Sequence, residues 1–238
     1  IQPGQPVVDF ARKLKQLPGI ELVGIYAHEM GARPTPEGKD ENAFEAATIT
    51  CETARLLRKE GFEIHDISVG ASPTFRSTCR FRKEGKFPEL TEIHPGQCVI
   101  GDIMYLYSGG NTRESIAVTV LTTVMSTSHA DWAIIDAGYK TLGGDSLIAH
   151  RDKPGFFWKN YPSFGAIKGR PDLWLGRLSA ETSILYYTEA DKKVKFGERL
   201  EIVPNNATLV INTHDQIYGV RKGRVEQVIP VTGRGRGN

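Results

Sequence analysis

Four short stretches carry side chains able to do chemistry. Tyr26-Ala27-His28-Glu29 holds a phenol and an imidazole beside one another at the end of an apolar run, and the imidazole could act as a base or stack on a ligand ring. A strand-end histidine with a purely structural job is the competing reading. Ser68-Val69-Gly70-Ala71-Ser72-Pro73-Thr74 combines small residues, which let backbone amides approach an anion, with hydroxyls that add donors. It reads as a phosphate cradle or as a tight strand-to-helix turn, and composition does not separate the two. His94-Pro95-Gly96-Gln97-Cys98 could add further amides. In Val203-Pro204-Asn205-Asn206-Ala207-Thr208, two amides and a hydroxyl crowd the entrance to an apolar run. Proline fixes φ and asparagine caps its own backbone, so this is either a turn or a polar wall of a site.

The bulk properties narrow the classes. With 238 residues and 39% hydrophobic content the chain can bury a core as one large or two modest domains. Thirty Lys and Arg against 28 Asp and Glu leave a formal charge of +2, which is no footprint for nucleic acid or an acidic membrane. The Gly233-Arg234-Gly235-Arg236-Gly237-Asn238 tail holds too few arginines for an RNA-binding segment. Cys51, Cys79 and Cys98 lack CxxC spacing, which argues against a disulfide framework and against a thiolate metal site, and suits a reducing, cytoplasmic setting. No apolar run approaches membrane-spanning length, and no basic-then-apolar leader precedes the first helix, so the Asn206-Ala207-Thr208 sequon reads as accidental. The chain starts at Ile1 with no initiator Met, as expected of a processed or truncated piece.

The elements that must position these groups follow from periodicity. Val7, Phe10, Ala11, Leu14 and Leu17 predict a helix from Pro6 to Leu17, and Glu21–Tyr26 a buried strand. A polar loop from Gly31 to Gly38 leads to a second helix with Phe44, Ala47, Cys51, Ala54 and Leu57 on one face, closed by Gly61. Strands are expected at Ile64–Val69 and Gln97–Gly101. This helix and strand alternation is the rhythm of parallel α/β units. From about residue 115, β runs take over: Ile116–Val124, Trp132–Asp136, Leu200–Val203 and Thr208–Asn212, with a hairpin of Ile217–Val220 and Val225–Val231 around Lys222-Gly223. The expected class is α/β plus β, with domains at 1–100 and 101–238.

Taken in order, Leu22–His28, Val69–Thr74, Glu92–Val99 with Asp102, Ile135–Lys140 and Val203–Asn205 give a chain that resembles the D-threonine aldolase and D-serine dehydratase family. The resemblance implies pyridoxal 5'-phosphate (PLP) lyases, an alanine-racemase-like (β/α)8 barrel of which residues 1–100 are the last strands, a C-terminal β domain, a homodimer, and a small D- or β-hydroxy amino acid as substrate. By the same resemblance Gly70, Ala71, Ser72 and Thr74 hold the cofactor phosphate, with Gln97 and Cys98 nearby. Tyr26 and His28 flank the cofactor ring, in catalytic positions. Lys140 matches a β-domain lysine and not the Schiff-base lysine, whose matching stretch lies before Ile1, so this segment alone is expected to be inactive.

Two departures from the family pattern stand out. Asn206 and Thr208 occupy the positions of a metal-binding His and a Cys or Asp, and neither suits zinc, so no metal ligand is assigned. His214 and Asp215 are candidates for displaced ligands and read better as a turn cap. Leu178–Ser183 keeps only Ser179 and Glu181 of a Ser-Glu-Glu-His pattern. The alternatives to a lyase are a racemase-like enzyme, since racemisation needs no metal, and a non-catalytic PLP-binding relative.

Overall fold

In the computed structural model, residues 1–29, 33, 35–146, 157–191 and 193–236 are described; Gly31, Ala32 and Pro34 of the expected polar loop and the last two residues of the tail lie outside them. The chain forms two units, Ile1–Val99 with Tyr107–Thr112, and Ile100–Leu106 with Arg113–Asn238.

The first unit is built on Gln5–Leu14 (α1), Gly24–Ala27 (β1), Pro36–Lys59 (α2), Asp66–Val69 (β2), Phe75–Lys83 (α3) and Glu92–Ile93 (β3). Its strands form a parallel sheet in the order β1-β2-β3, with Tyr26 opposite Ser68 and Ser68 opposite Glu92. Thr35 caps α2, its hydroxyl accepting from the Gly38 amide at 3.1 Å, and Pro36 occupies the first turn, where a missing N–H costs nothing. Ala43, Ala47, Cys51, Ala54 and Leu57 recur at helical spacing, and all are buried in one cluster with Ile67 and Val69 of the sheet. In α1 the buried residues are Val8 and Ala11, while Phe10 and Leu17 of the expected apolar face stay exposed.

One expected strand is absent. Residues 97–99 form a 3-10 turn, because Pro95 and Gly96 interrupt the chain just after β3 and no ladder partner is at hand.

The second unit holds Ile103–Tyr107 (α4), Val120–Ser126 (β4), Trp132–Ile135 (β5), Tyr139–Leu142 (α5), Phe157–Trp158 (β6), Tyr161–Pro162 (β7), Gly165–Ile167 (β8), Leu173–Leu178 (β9), Ser183–Tyr187 (β10), Arg199–Pro204 (β11), Ala207–Asn212 (α6), Gln216–Arg221 (β12) and Arg224–Pro230 (β13). Six strands close a barrel in the order β10-β5-β4-β11-β8-β9. Val124, Ala133, Ile135, Leu175, Leu185 and Ile202 fill it, as the alternation of buried and outward positions along β4, β5 and β10 requires. The β12–β13 hairpin turns at Lys222-Gly223, both at positive φ.

The expected strand at Thr208–Asn212 is instead α6. Asn206 is its N-cap, with the side-chain oxygen accepting from the Leu209 amide at 3.3 Å, and Ala207 and Val210, one helical turn apart, are buried. Local β propensity at Val210 and Ile211 yields to the cap and to this spacing.

Candidate functional site

Because β1, β2 and β3 run parallel, their carboxyl ends open on the same side of the sheet, where loops and helix N-termini gather. Strand alternation puts Tyr26, Ser68 and His94 on one face. The Tyr26 ring meets His94 edge-on at 5.1 Å between centroids and His28 at 6.5 Å. Its hydroxyl donates to the Gly70 carbonyl at 3.2 Å, tying the aromatic to the start of the small-residue loop. Tyr26 and His28 are exposed, as a ligand face must be. Burial and then Glu29 push the Tyr26 phenol above its ordinary value, so it stays protonated as a donor at neutral pH.

Gly70, Ala71, Ser72 and Thr74 link β2 to α3 and are all buried. A β-carbon on Gly70 would lie 2.5 Å from the His94 backbone nitrogen, so only glycine allows β2 and β3 to end this close together. Thr74 stands at the N-cap of α3, yet its hydroxyl makes no capping bond. It turns instead to Glu29 Oε1 at 3.0 Å and the Ala71 carbonyl at 3.1 Å. Thr74 thus gives α3 no side-chain cap; the Thr74 and Phe75 amides donate to the Ala71 carbonyl at 3.2 Å, and the amides that follow, of Arg76 and Ser77, face the end of the helix where an anion is favoured.

Of the residues that the sequence marks, the structure brings together Tyr26, His28 and the loop from Gly70 to Thr74. Gln97 and Cys98 lie farther along in the 3-10 turn, where the Cys98 thiol contacts the Pro95 carbonyl at 3.7 Å. Three side chains that stand within the singled-out stretches, but were given no role there, join the site: Glu29, Ser68 and the ring of His94. His94 Nδ1 is 3.0 Å from Ser68 Oγ and its Nε2 is 3.4 Å from Glu92, which fixes the imidazole beside Tyr26. The period of two along Tyr26-His28, Ser68-Gly70 and Glu92-His94 is the signal that could have placed Ser68 and His94 beside Tyr26, whereas Glu29 is out of that phase.

In the second unit the crowded amides have structural partners. Asn205, 2% exposed, donates to the carbonyls of Asp145 and Ser163 at 2.8 and 2.7 Å. Asn206 Oδ1 receives both the Leu209 amide and the Thr208 hydroxyl. Buried Asp102 accepts from Tyr105 and Ala207 amides, joining the starts of α4 and α6. His214 Nδ1 lies 2.8 Å from the Val210 carbonyl at the end of α6, and Asp215 pairs with Arg234. Lys140 pairs with Glu181.

Residues 117–220 match the family model described as "Putative serine dehydratase domain". The chain is 28% identical to a D-serine dehydratase of Dictyostelium discoideum over 216 residues, which is 83% of this chain and 52% of that protein. It is 31% identical to the D-threo-3-hydroxyaspartate dehydratase of Delftia sp. (strain HT23) over 201 residues, 79% of this chain and 50% of that one. The crystal structure of D-threonine aldolase from Filomicrobium marinum superposes with a TM-score of 0.76 at 24% identity, covering 100% of this chain and 60% of the other. The chain spans about half the length of the curated relatives it matches. Its fold is that of the alanine-racemase-like D-threonine aldolases. More narrowly, residues 117–220 carry the serine dehydratase domain, and the chain is similar over most of its length to D-serine dehydratase, D-threonine aldolase and D-threo-3-hydroxyaspartate dehydratase.

PLP, the cofactor these folds imply, fits the residues at the strand ends. The α3 first turn has no side-chain cap, and a β-carbon added at Gly96 would meet no heavy atom within 4 Å, which leaves room for a phosphate ester. A divalent metal does not fit Asn206 and Thr208, because the asparagine oxygen already receives two hydrogen bonds and neither side chain carries charge. Among the described residues no group of three or more His, Cys, Asp or Glu is placed to hold one. Also among the described residues, no helix is long and apolar enough to cross a membrane.

Proposed function

We propose that this chain is part of a PLP-dependent lyase of the D-threonine aldolase or D-serine dehydratase type, acting on a small D- or β-hydroxy amino acid. The observation that carries the reading is the gathering of Tyr26, His28, His94 and the Gly70–Thr74 loop at the carboxyl ends of three parallel strands. In this reading residues 1–100 are the last strands of a (β/α)8 barrel and residues 101–238 its β domain, and the intact protein works as a homodimer in the cytoplasm.

Bound at the strand ends, PLP would supply an electron sink for negative charge at the substrate α-carbon. The chain's own residues then have separate tasks. The Gly70, Thr74 and Phe75 amides serve the Ala27 and Ala71 carbonyls, so the Ala71 amide and those of Arg76 and Ser77 in the α3 first turn would bind the phosphate, whose charge the positive end of that helix favours. Tyr26, anchored on the Gly70 carbonyl, and His94, anchored on Ser68, wall the ring. His28, exposed beside Tyr26, offers an imidazole that can accept or donate a hydrogen bond at the open side of the ring.

The Asn206 and Thr208 cap favours one further reading, a racemase-like activity, because racemisation requires no help in breaking a bond at the β-carbon. The full-length product of the coding region, loaded with PLP, separates the two. A lyase releases glycine and an aldehyde, or a keto acid and ammonia, from D-threonine, D-serine or D-3-hydroxyaspartate. A racemase returns only the opposite enantiomer. Failure to retain PLP would remove both readings.

A further inference from the structure

Glu29 follows His28 at the end of β1 and lies under the Gly70–Thr74 loop. It is 7% exposed, and its Oε2 is buried with no hydrogen-bond partner among the described residues. Its Oε1 is 3.0 Å from Thr74 Oγ1, and the same hydroxyl is 3.1 Å from the Ala71 carbonyl oxygen. Thr74 has a single hydroxyl proton. The Ala71 carbonyl also accepts the Thr74 and Phe75 amides at 3.2 Å each, so the Thr74 proton can serve Glu29, and what a carboxylate leaves unmet is its own buried Oε2.

A proton on Glu29 removes that buried charge. Its Oε1–H then donates to Thr74 Oγ1, the Thr74 hydroxyl donates to the Ala71 carbonyl, and Oε2 is left as a neutral oxygen that is far easier to bury than a charged one. Burial acts in the same direction, pushing Glu29 above the usual carboxylate range. The ionisable groups that bear on it are His28 and Tyr26 of its own strand, and the Gly70–Thr74 loop packed on it contributes only hydroxyls and amides.

We propose that Glu29 is a positioning residue that works as a neutral acid: it pins the loop through Thr74 to Ala71 and keeps negative charge away from the phosphate ester bound above it. This rests on the reading of the Gly70–Thr74 loop as a phosphate site. A carboxylate at this depth would repel the ligand's phosphate through an interior that screens weakly. Phosphate binding and protonation of Glu29 therefore support each other, and raising the pH weakens both.

The test uses the full chain, with PLP as probe and inorganic phosphate as competitor. Affinities are followed from about pH 5 to about pH 9 for the wild type and Glu29→Gln. Glutamine keeps the side-chain length and donates to Thr74 at every pH, so the ratio of the two affinities removes the titration of the probe's own phosphate and of every group that the two proteins share. The expected result is a wild-type affinity that falls by about tenfold relative to the variant as Glu29 ionises. Parallel profiles overturn the proposal and leave the phosphate site standing. No binding of PLP or phosphate by either protein at any pH removes the phosphate site itself, and the proposal with it.

A second measurement needs no ligand. The urea midpoint of the free wild type should decline as pH rises through the raised folded value of Glu29, because the native state then loses a proton that the unfolded chain gave up at lower pH. Glu29→Gln should lack that decline. Equal slopes would overturn the neutral-acid state.

Discussion

Substituting Gly70 by alanine tests whether the junction of β2 and β3 is as tight as it looks. The new β-carbon would lie 2.5 Å from the His94 nitrogen, 3.1 Å from its α-carbon and 3.2 Å from its carbonyl carbon. Such contacts are comfortable at about 3.5 Å, so the closest pair must separate by about 1 Å. The obstructing atoms are backbone and cannot swing aside as a side-chain tip could. Moving them stretches the hydrogen bond from the His94 amide to the Val69 carbonyl, now 3.2 Å. Its loss is worth about 1 kcal/mol, and overpacking adds about 1–3 kcal/mol, for a destabilisation of about 2–4 kcal/mol in the first unit.

The assay should follow helical circular dichroism during urea unfolding. All three tryptophans, Trp132, Trp158 and Trp174, belong to the second unit, so their fluorescence reports the wrong part of the molecule. Gly96→Ala is the matched control: no heavy atom lies within 4 Å of its added carbon, and its expected effect is within about 0.5 kcal/mol. PLP affinity should fall in Gly70→Ala, since Tyr26 is anchored on the Gly70 carbonyl. If Gly70→Ala is as stable as Gly96→Ala, the close approach of the two strands is wrong and the account of the loop falls with it.

Other perturbations have equally definite outcomes. Leu57→Ala opens a cavity against a fully buried site between α2 and the sheet and should cost about 2–5 kcal/mol, read from the same dichroism transition. Asn206→Ala removes the cap of α6 and should cost about 1 kcal/mol, read from tryptophan fluorescence because α6 belongs to the second unit; no change would mean that the cap is ornamental. At Asp136, burial raises the carboxyl pKa, but hydrogen bonds from the Thr122 hydroxyl and Thr123 amide outweigh it and the net shift is downward. Its contribution to stability is therefore present above the unfolded value and lost as pH falls through the depressed folded one. Asp136→Asn should flatten the acid limb of the stability profile, and an unchanged limb would refute the assignment.

What the sequence disclosed depended on how local the determinant was. The helix from Pro36 to Lys59 was legible because Ala47, Cys51, Ala54 and Leu57 recur at helical spacing within one segment, although its first turn falls inside the expected polar loop and Phe44 of the expected face is exposed. The β12–β13 hairpin was legible because Lys222-Gly223 fixes the turn. By contrast, Val210 and Ile211 suggested a strand, and only the Asn206 cap and the burial of Ala207 with Val210 decide for a helix. Strands β6 to β10 do not stand out individually, since Phe157–Trp158, Tyr161–Pro162 and Gly165–Ile167 are too short for a period of two to register. At the site, Tyr26, His28 and the Gly70–Thr74 loop were visible as residue types. The pairing of His94 with Ser68 and of Glu29 with Thr74 joins residues 26 and 45 positions apart, and no single segment reveals it.

The barrel of the second unit is closed, but its staves are unevenly joined. Strands β9 and β10 share five registered pairs, whereas β8 and β9 meet through the single pair Ala166 and Trp174. A ring of strands has no frayed edge from which to unravel, so deuterium should enter most of its amides only when the whole ring opens. The weak joint offers a local route. Amides flanking Ala166 and Trp174 should exchange first, and those of β5 and β10, held on both sides, should be the last to be labelled.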